Sequence, residues 1–140
     1  MIQLKSEREI EVMSRGGRIL AETVREVEHA VKPGMTTADL DSIADKFIRS
    51  HPGATPAFKG LYNFPASVCT SINNEIVHGI PSKKRVIREG DLVSIDIGVR
   101  LEGYYTDSAT TVGVGAVDSD SRRLLDVTRQ ALGRNRGCDG

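Results

Sequence analysis

Two strand-like runs joined by a short turn constrain this chain more than any other feature. Leu92 to Val99 and Tyr104 to Gly115 flank Arg100-Leu101-Glu102-Gly103, which reads as a tight turn and makes the pair a hairpin. Side chains alternate across a strand. Val93, Ile95, Ile97 and Val99 therefore share one face of the first run, and Ser94, Asp96 and Gly98 share the other. The first face suits a core and the second a polar cleft.

The second face carries a carboxylate, and the partner run carries another, Asp107. With Leu101 and Glu102 at the turn centre, Asp96 lies directly opposite Asp107, where Cβ atoms sit about 4.5–5.5 Å apart and like charges repel. With Glu102 and Gly103 at the centre the two are diagonal neighbours on one face. The register between these puts them on opposite faces. A lone strand aspartate is normally solvated or salt-bridged. Two on one face call for a compensating charge, because burying an unpaired carboxylate is costly. Such a pair can hold one divalent ion or bridge two ions about 3.5–4 Å apart.

The rest of the chain reads as helices around this sheet. Ser6 to Val31 forms one helix, with Ser6 and Glu9 at capping-box spacing. Its stripe is Ile10, Met13, Gly17, Leu20, Val24, Val27 and Val31, and Gly16-Gly17 suggests close approach of another backbone. A second helix starts near Thr37, buries Leu40, Ile43, Ala44 and Phe47, and closes at Pro52-Gly53. Ala54 to Pro65 is a connection that holds Phe58, Tyr62 and Phe64, as core packing or as a pocket wall. Ser67 to Ile72 and Ile76 to Ile80 read as strands about a turn at Asn73-Asn74-Glu75, and Ser82 to Gly90 as a charged connector. Ser119 to Leu132 reads as a third helix with Leu124, Leu125, Thr128, Ala131 and Leu132 inward. The pattern predicts an α+β fold, an antiparallel sheet with flanking helices, in one domain over residues 1–140.

Nineteen basic and nineteen acidic residues balance and form no basic stripe, so nucleic acid is not an expected partner. No apolar run is long enough to span a membrane, and Met1 to Glu7 lacks the apolar stretch of a signal peptide. Cys69 and Cys138 have neither metal-like nor disulfide-framework spacing. A cytoplasmic protein of a reducing compartment is expected. Cys69 reads as a buried or pocket-lining thiol, because neighbouring aspartates oppose a thiolate. His78 sits before Gly79 and Pro81, at an exposed strand end. There it could bind a metal or donate to a carbonyl oxygen.

Together these motifs resemble a known family. Ala66-Ser67-Val68-Cys69-Thr70-Ser71-Ile72-Asn73-Asn74-Glu75-Ile76-Val77-His78-Gly79-Ile80-Pro81 is similar to the signature of type I methionine aminopeptidases. Glu89 to Gly98, Gly103 to Ala109, and the opening helix with Ile10, Met13, Gly16 and Gly17 are similar to that family as well. The resemblance runs through residue 132, and residues 133–140 form a divergent tail. It implies the N-terminal half of the pita-bread (creatinase/aminopeptidase-like) fold. It also implies a cytoplasmic hydrolase, monomeric when complete, that removes the initiator methionine from nascent chains, at the ribosome, using up to two divalent cations (Co, Mn, Fe, Zn or Ni).

Carried over residue by residue, the resemblance makes Asp96 and Asp107 metal ligands, with Asp107 bridging both ions. His78 becomes the residue that contacts substrate and stabilises the tetrahedral intermediate. Cys69 and Phe64 line the methionine side-chain pocket, and Asn73 lies in the segment associated with a monovalent cation. The family's ligand set also takes one histidine and two glutamates, and after Asp107 this sequence contains neither residue type. The expectation is a truncated or frame-shifted chain with little or no peptidase activity. The rival readings are a non-catalytic pita-bread-like domain that binds peptide or protein, and a prolidase-like relative, against which the Cys69–Pro81 segment argues.

Overall fold

The computed structural model describes residues 4–135. Helix α1 spans Glu7–Ala30 and α2 spans Thr37–Arg49. Each starts on a reciprocal capping box, Ser6 with Glu9 and Thr36 with Asp39. These boxes satisfy N–H groups that the first turn leaves without helical partners. The strands are β1 (Ala54–Pro56), β2 (Val68–Ile72), β3 (Leu92–Leu101) and β4 (Tyr104–Gly113). A 3-10 turn covers Leu61–Asn63, and α3 spans Ser119–Asn135. The expected divergent tail lies outside the described residues from 136 onward, as does Cys138.

All strand pairs are antiparallel, and β3 is central. β1 and β2 pair with successive stretches of β3, while β4 lies along its other side. Leu101 pairs with Tyr104, so the turn centre is Glu102-Gly103. Both turn residues have positive φ, 49° and 87°, as a type I′ turn requires. Asp107 therefore faces Gly98, and Asp96 faces Ala109. The aspartates are diagonal neighbours on one face, the second of the three registers.

Val93, Ile95, Ile97 and Val99 are fully buried against Leu20 and Val27 of α1 and Leu40, Ala44 and Ile48 of α2. Two α2 carboxylates fix the start of β2. Asp41 accepts the Ser67 and Val68 N–H groups at 2.7 and 3.1 Å, and Asp45 accepts the Ser67 hydroxyl at 2.6 Å. The charged connector does more than link strands. Ile87 is fully buried, and its backbone bonds to Gly34 and Met35.

Several expectations need correction. The buried stripe of α1 is Val12, Gly16, Leu20, Thr23 and Val27, and Ile10 is exposed. Tyr104 donates to Glu9 and Thr110 to Glu28, so α1 lies along the hairpin with a different rotation. Gly16 meets the side chains of Thr106 and Leu101, not another backbone, and Gly17 faces open space. Ile76 to Ile80 is irregular, not a strand. His78 has a left-handed φ of 60°, and Ile76 is 90% exposed. On α3, Leu124 and Leu132 are 61% and 57% exposed, because the helix lies against the rim of β4 with Leu125 near Gly113. Among the described residues no helix is long and apolar enough to cross a membrane.

Candidate functional site

The sheet face opposite α1 and α2 forms the floor of a cleft of about 620 Å³. The floor carries Cys69 and Ser71 from β2 and Ser94 and Asp96 from β3, with Ala109 and Thr111 from β4. Ser94 and Thr111 share a hydrogen bond of 2.9 Å across the strands. The 73–78 segment, ending in His78, makes one wall. Leu124, Leu125, Thr128, Arg129 and Leu132 of α3 make the other.

Asp96 is half-buried, and its Oδ1 is shielded from solvent without a hydrogen-bond partner. Burial first, then the charge of Asp107 beside it, push the Asp96 carboxyl up to about 6, while nearby His78 works in the other direction. Asp107 is exposed and stands beside the cleft lining. A shielded carboxylate oxygen without a donor, on a side chain that stands beside a second carboxylate, needs either a proton or a cation. The pair therefore fits a divalent ion: both ligands are hard oxygen donors, and the orphaned oxygen is the atom a cation would satisfy. Among the described residues no group of three or more His, Cys, Asp or Glu could hold a metal ion. The aspartates are a pair, not a full ligand set.

Cys69 is buried and pairs directly with Asp96 across β2 and β3. Burial, then Asp96 and Asp107, push its thiol up to about 11. It is a thiol at neutral pH, a small apolar element of the floor rather than a nucleophile. His78 is exposed at the lip. Phe64 is half-buried at the end of the 3-10 turn and does not join the cleft lining. The Asn73 amide donates to Asp91 and accepts from the Leu92 N–H, each at 2.9 Å, so its side chain ties β2 to β3.

Sequence reasoning missed the serine–threonine floor and the close packing behind Gly98. Thr111 was legible only once the register paired it with Ser94. A Cβ on Gly98 would lie 2.6 Å from Phe58 and 2.9 Å from the Ala57 Cβ, so the aromatic connection presses on β3 beside Asp107.

The fold and its motifs have known counterparts. The methionine aminopeptidase of Clostridium acetobutylicum is 49% identical over 132 residues, which are 94% of this chain and 52% of that protein. The crystal structure of methionine aminopeptidase from Thermotoga maritima matches with a TM-score of 0.91 at 38% identity, over 96% of this chain and 53% of that one. The enzyme from Rickettsia prowazekii matches with a TM-score of 0.88 at 39% identity, over 94% and 52%. The architecture is thus that of the pita-bread fold, and the chain spans about half the length of these relatives. Residues 11–136 match metallopeptidase family M24. With an antiparallel sheet that sets two aspartates on one of its faces and a sequence that runs with the methionine aminopeptidases, the chain belongs to metallopeptidase family M24.

Proposed function

We propose that this chain supplies part of a methionine aminopeptidase site, acting on nascent chains in the cytoplasm. In this reading Asp96 and Asp107 would hold divalent metal, with the remaining ligands supplied from outside this pair. The observation that carries it is the unpartnered Oδ1 of Asp96, a side chain that stands beside Asp107, in a family M24 chain. A bound divalent ion polarises a carbonyl oxygen and makes water more acidic.

The chain's own residues do the rest. The His78 imidazole at the lip donates to the substrate carbonyl oxygen, and that bond strengthens as charge develops. The protonated Cys69 offers an uncharged surface to a methionine side chain, and the α3 leucines restrict water. Two carboxylates leave a cation held mostly by its water shell. Catalytic metals normally have three or more protein ligands. The chain alone therefore has little or no peptidase activity.

Calorimetric titration with Mn²⁺ tests this reading. Wild type should bind weakly, with Kd about millimolar, and Asp107→Ala should not bind. Heat that is unchanged in Asp107→Ala would sink the cation assignment. Methionine release from a Met-Ala-Ser peptide by the chain alone, abolished by Asp96→Ala, would refute the claim that the site is incomplete.

A further inference from the structure

Between Asn73 and Pro81 the chain leaves β2 and returns along it as an arch with two anchors. The first is Glu75, whose carboxylate accepts the Ile72 N–H at 2.8 Å and pairs with Arg85 at 2.8 Å. The second is Gly79. Its N–H donates to Ser71 Oγ at 3.1 Å, and its carbonyl accepts the Thr70 N–H at 2.9 Å. Ile76, Val77 and His78 hang between the anchors, all exposed. His78 keeps a left-handed φ, which a non-glycine residue sustains only where its surroundings impose it.

The second anchor is built for close approach. A Cβ on Gly79 would collide with the Thr70 carbonyl, so only glycine lets the arch lie this near β2. Ser71 is buried, and it lies on the same cleft floor as Cys69 and Asp96. Its hydroxyl is the acceptor that turns the arch inward one residue after His78. Without that acceptor the Gly79 N–H would face a methyl group, a half-buried donor left unmade.

We propose that Ser71 and Gly79 are positioning residues: together they form a clasp that closes the Asn73–Pro81 arch onto β2 and holds His78 over the Asp96–Asp107 pair. The inference rests on the reading of His78 and the aspartates as one site. It adds how a residue on an exposed loop is aimed at carboxylates carried by the sheet. Glu75 fixes only the start of the arch, and the clasp fixes its end.

Nuclear magnetic resonance on the isotope-labelled chain tests the clasp. In Ser71→Ala the Gly79 amide should exchange about fivefold faster. The His78 Hε1 resonance should move toward that of a free histidine, while the β3 amides stay unchanged. Gly79→Ala should give the same His78 change by collision. If Gly79→Ala does not fold, Ser71→Ala alone decides. An unchanged His78 resonance in folded Ser71→Ala overturns the proposal, and so does unchanged Gly79 exchange. Mn²⁺ broadening of His78 Hε1, with Mg²⁺ as control, separates the two readings. If wild type shows no broadening but the exchange and shift behave as expected, the shared-site reading fails and the clasp stands.

Discussion

Replacing Asp96 with asparagine should stabilise the metal-free chain at neutral pH. In wild type the carboxyl titrates near 6 instead of 3.8, because it is partly buried beside Asp107. Between these values the folded state holds a proton that the unfolded chain has released, so stability falls as pH rises through the window. The penalty is absent below about 3.8 and complete above about 6. Taken at full weight, this displacement is worth about 3 kcal/mol. Asp96 is only half-buried, and solvent screening reduces the figure to about 1 kcal/mol. For a domain of this size that is about 3–5 °C in melting temperature. Asparagine keeps the shape and removes the charge, and its amide can donate to Asp107. Circular dichroism melts in EDTA should place Asp96→Asn about 3–5 °C above wild type at pH 7.5 and level with it at pH 4. Added Mn²⁺ should raise wild type and leave the variant unmoved, since only a state that binds the ion gains. Equal melts at pH 7.5 in EDTA, or a less stable variant there, would refute the argument that Asp96 carries an uncompensated charge.

Two other outcomes follow from the same face of the sheet. Gly98→Ala drives a methyl group against the Ala57 Cβ and Phe58 and should cost about 1–3 kcal/mol in urea unfolding, and an unchanged midpoint would show that the aromatic connection yields freely. Cys69, with its thiol pushed up to about 11, should react with iodoacetamide far more slowly in the native chain than in urea at pH 7.5, since it carries about a hundredfold less thiolate. Cys138 serves as the second thiol in the same digest, and native labelling of Cys69 as fast as in urea would remove the electrostatic account.

The sequence foretold this sheet where one rule acts alone. Alternation over Val93 to Val99 identified the core face, because four aliphatic residues at period two leave no other arrangement. The capping box at Ser6 was legible for the same reason, since its partners are local. Readings failed where a distant element decides. Val12 displaced Ile10 from the α1 stripe because the hairpin contacts that fix the helix rotation come from residues some ninety positions later. Ile76 to Ile80 has strand composition, yet Glu75 and Gly79 tie it to β2 as an arch. The leucines of α3 follow a helical stripe, but the sheet floor they face is polar and stands off across the cleft.

The aspartate pair shows which of two specifications governs a site. Turn chemistry at Glu102-Gly103 and burial along β3 both act on the register, and their magnitudes differ. A left-handed residue other than glycine in the turn costs about 1–2 kcal/mol. A one-residue slip leaves β3 where β1 and β2 hold it and would turn Tyr104 and Val112 of β4 from the core to the cleft face, and full burial of such a side chain is worth about 1.5–3 kcal/mol. The core therefore excludes the register that would part Asp96 from Asp107. It does not separate the two registers that keep them together, because these differ by two residues and leave every face unchanged. Leu101 makes that choice. It is buried beneath α1 near Gly16 and pairs with Tyr104, which leaves Glu102 and Gly103 as the turn. Apolar burial on one side of the sheet thus sets the spacing of the carboxylates on the other, and the turn has only to be compatible with it.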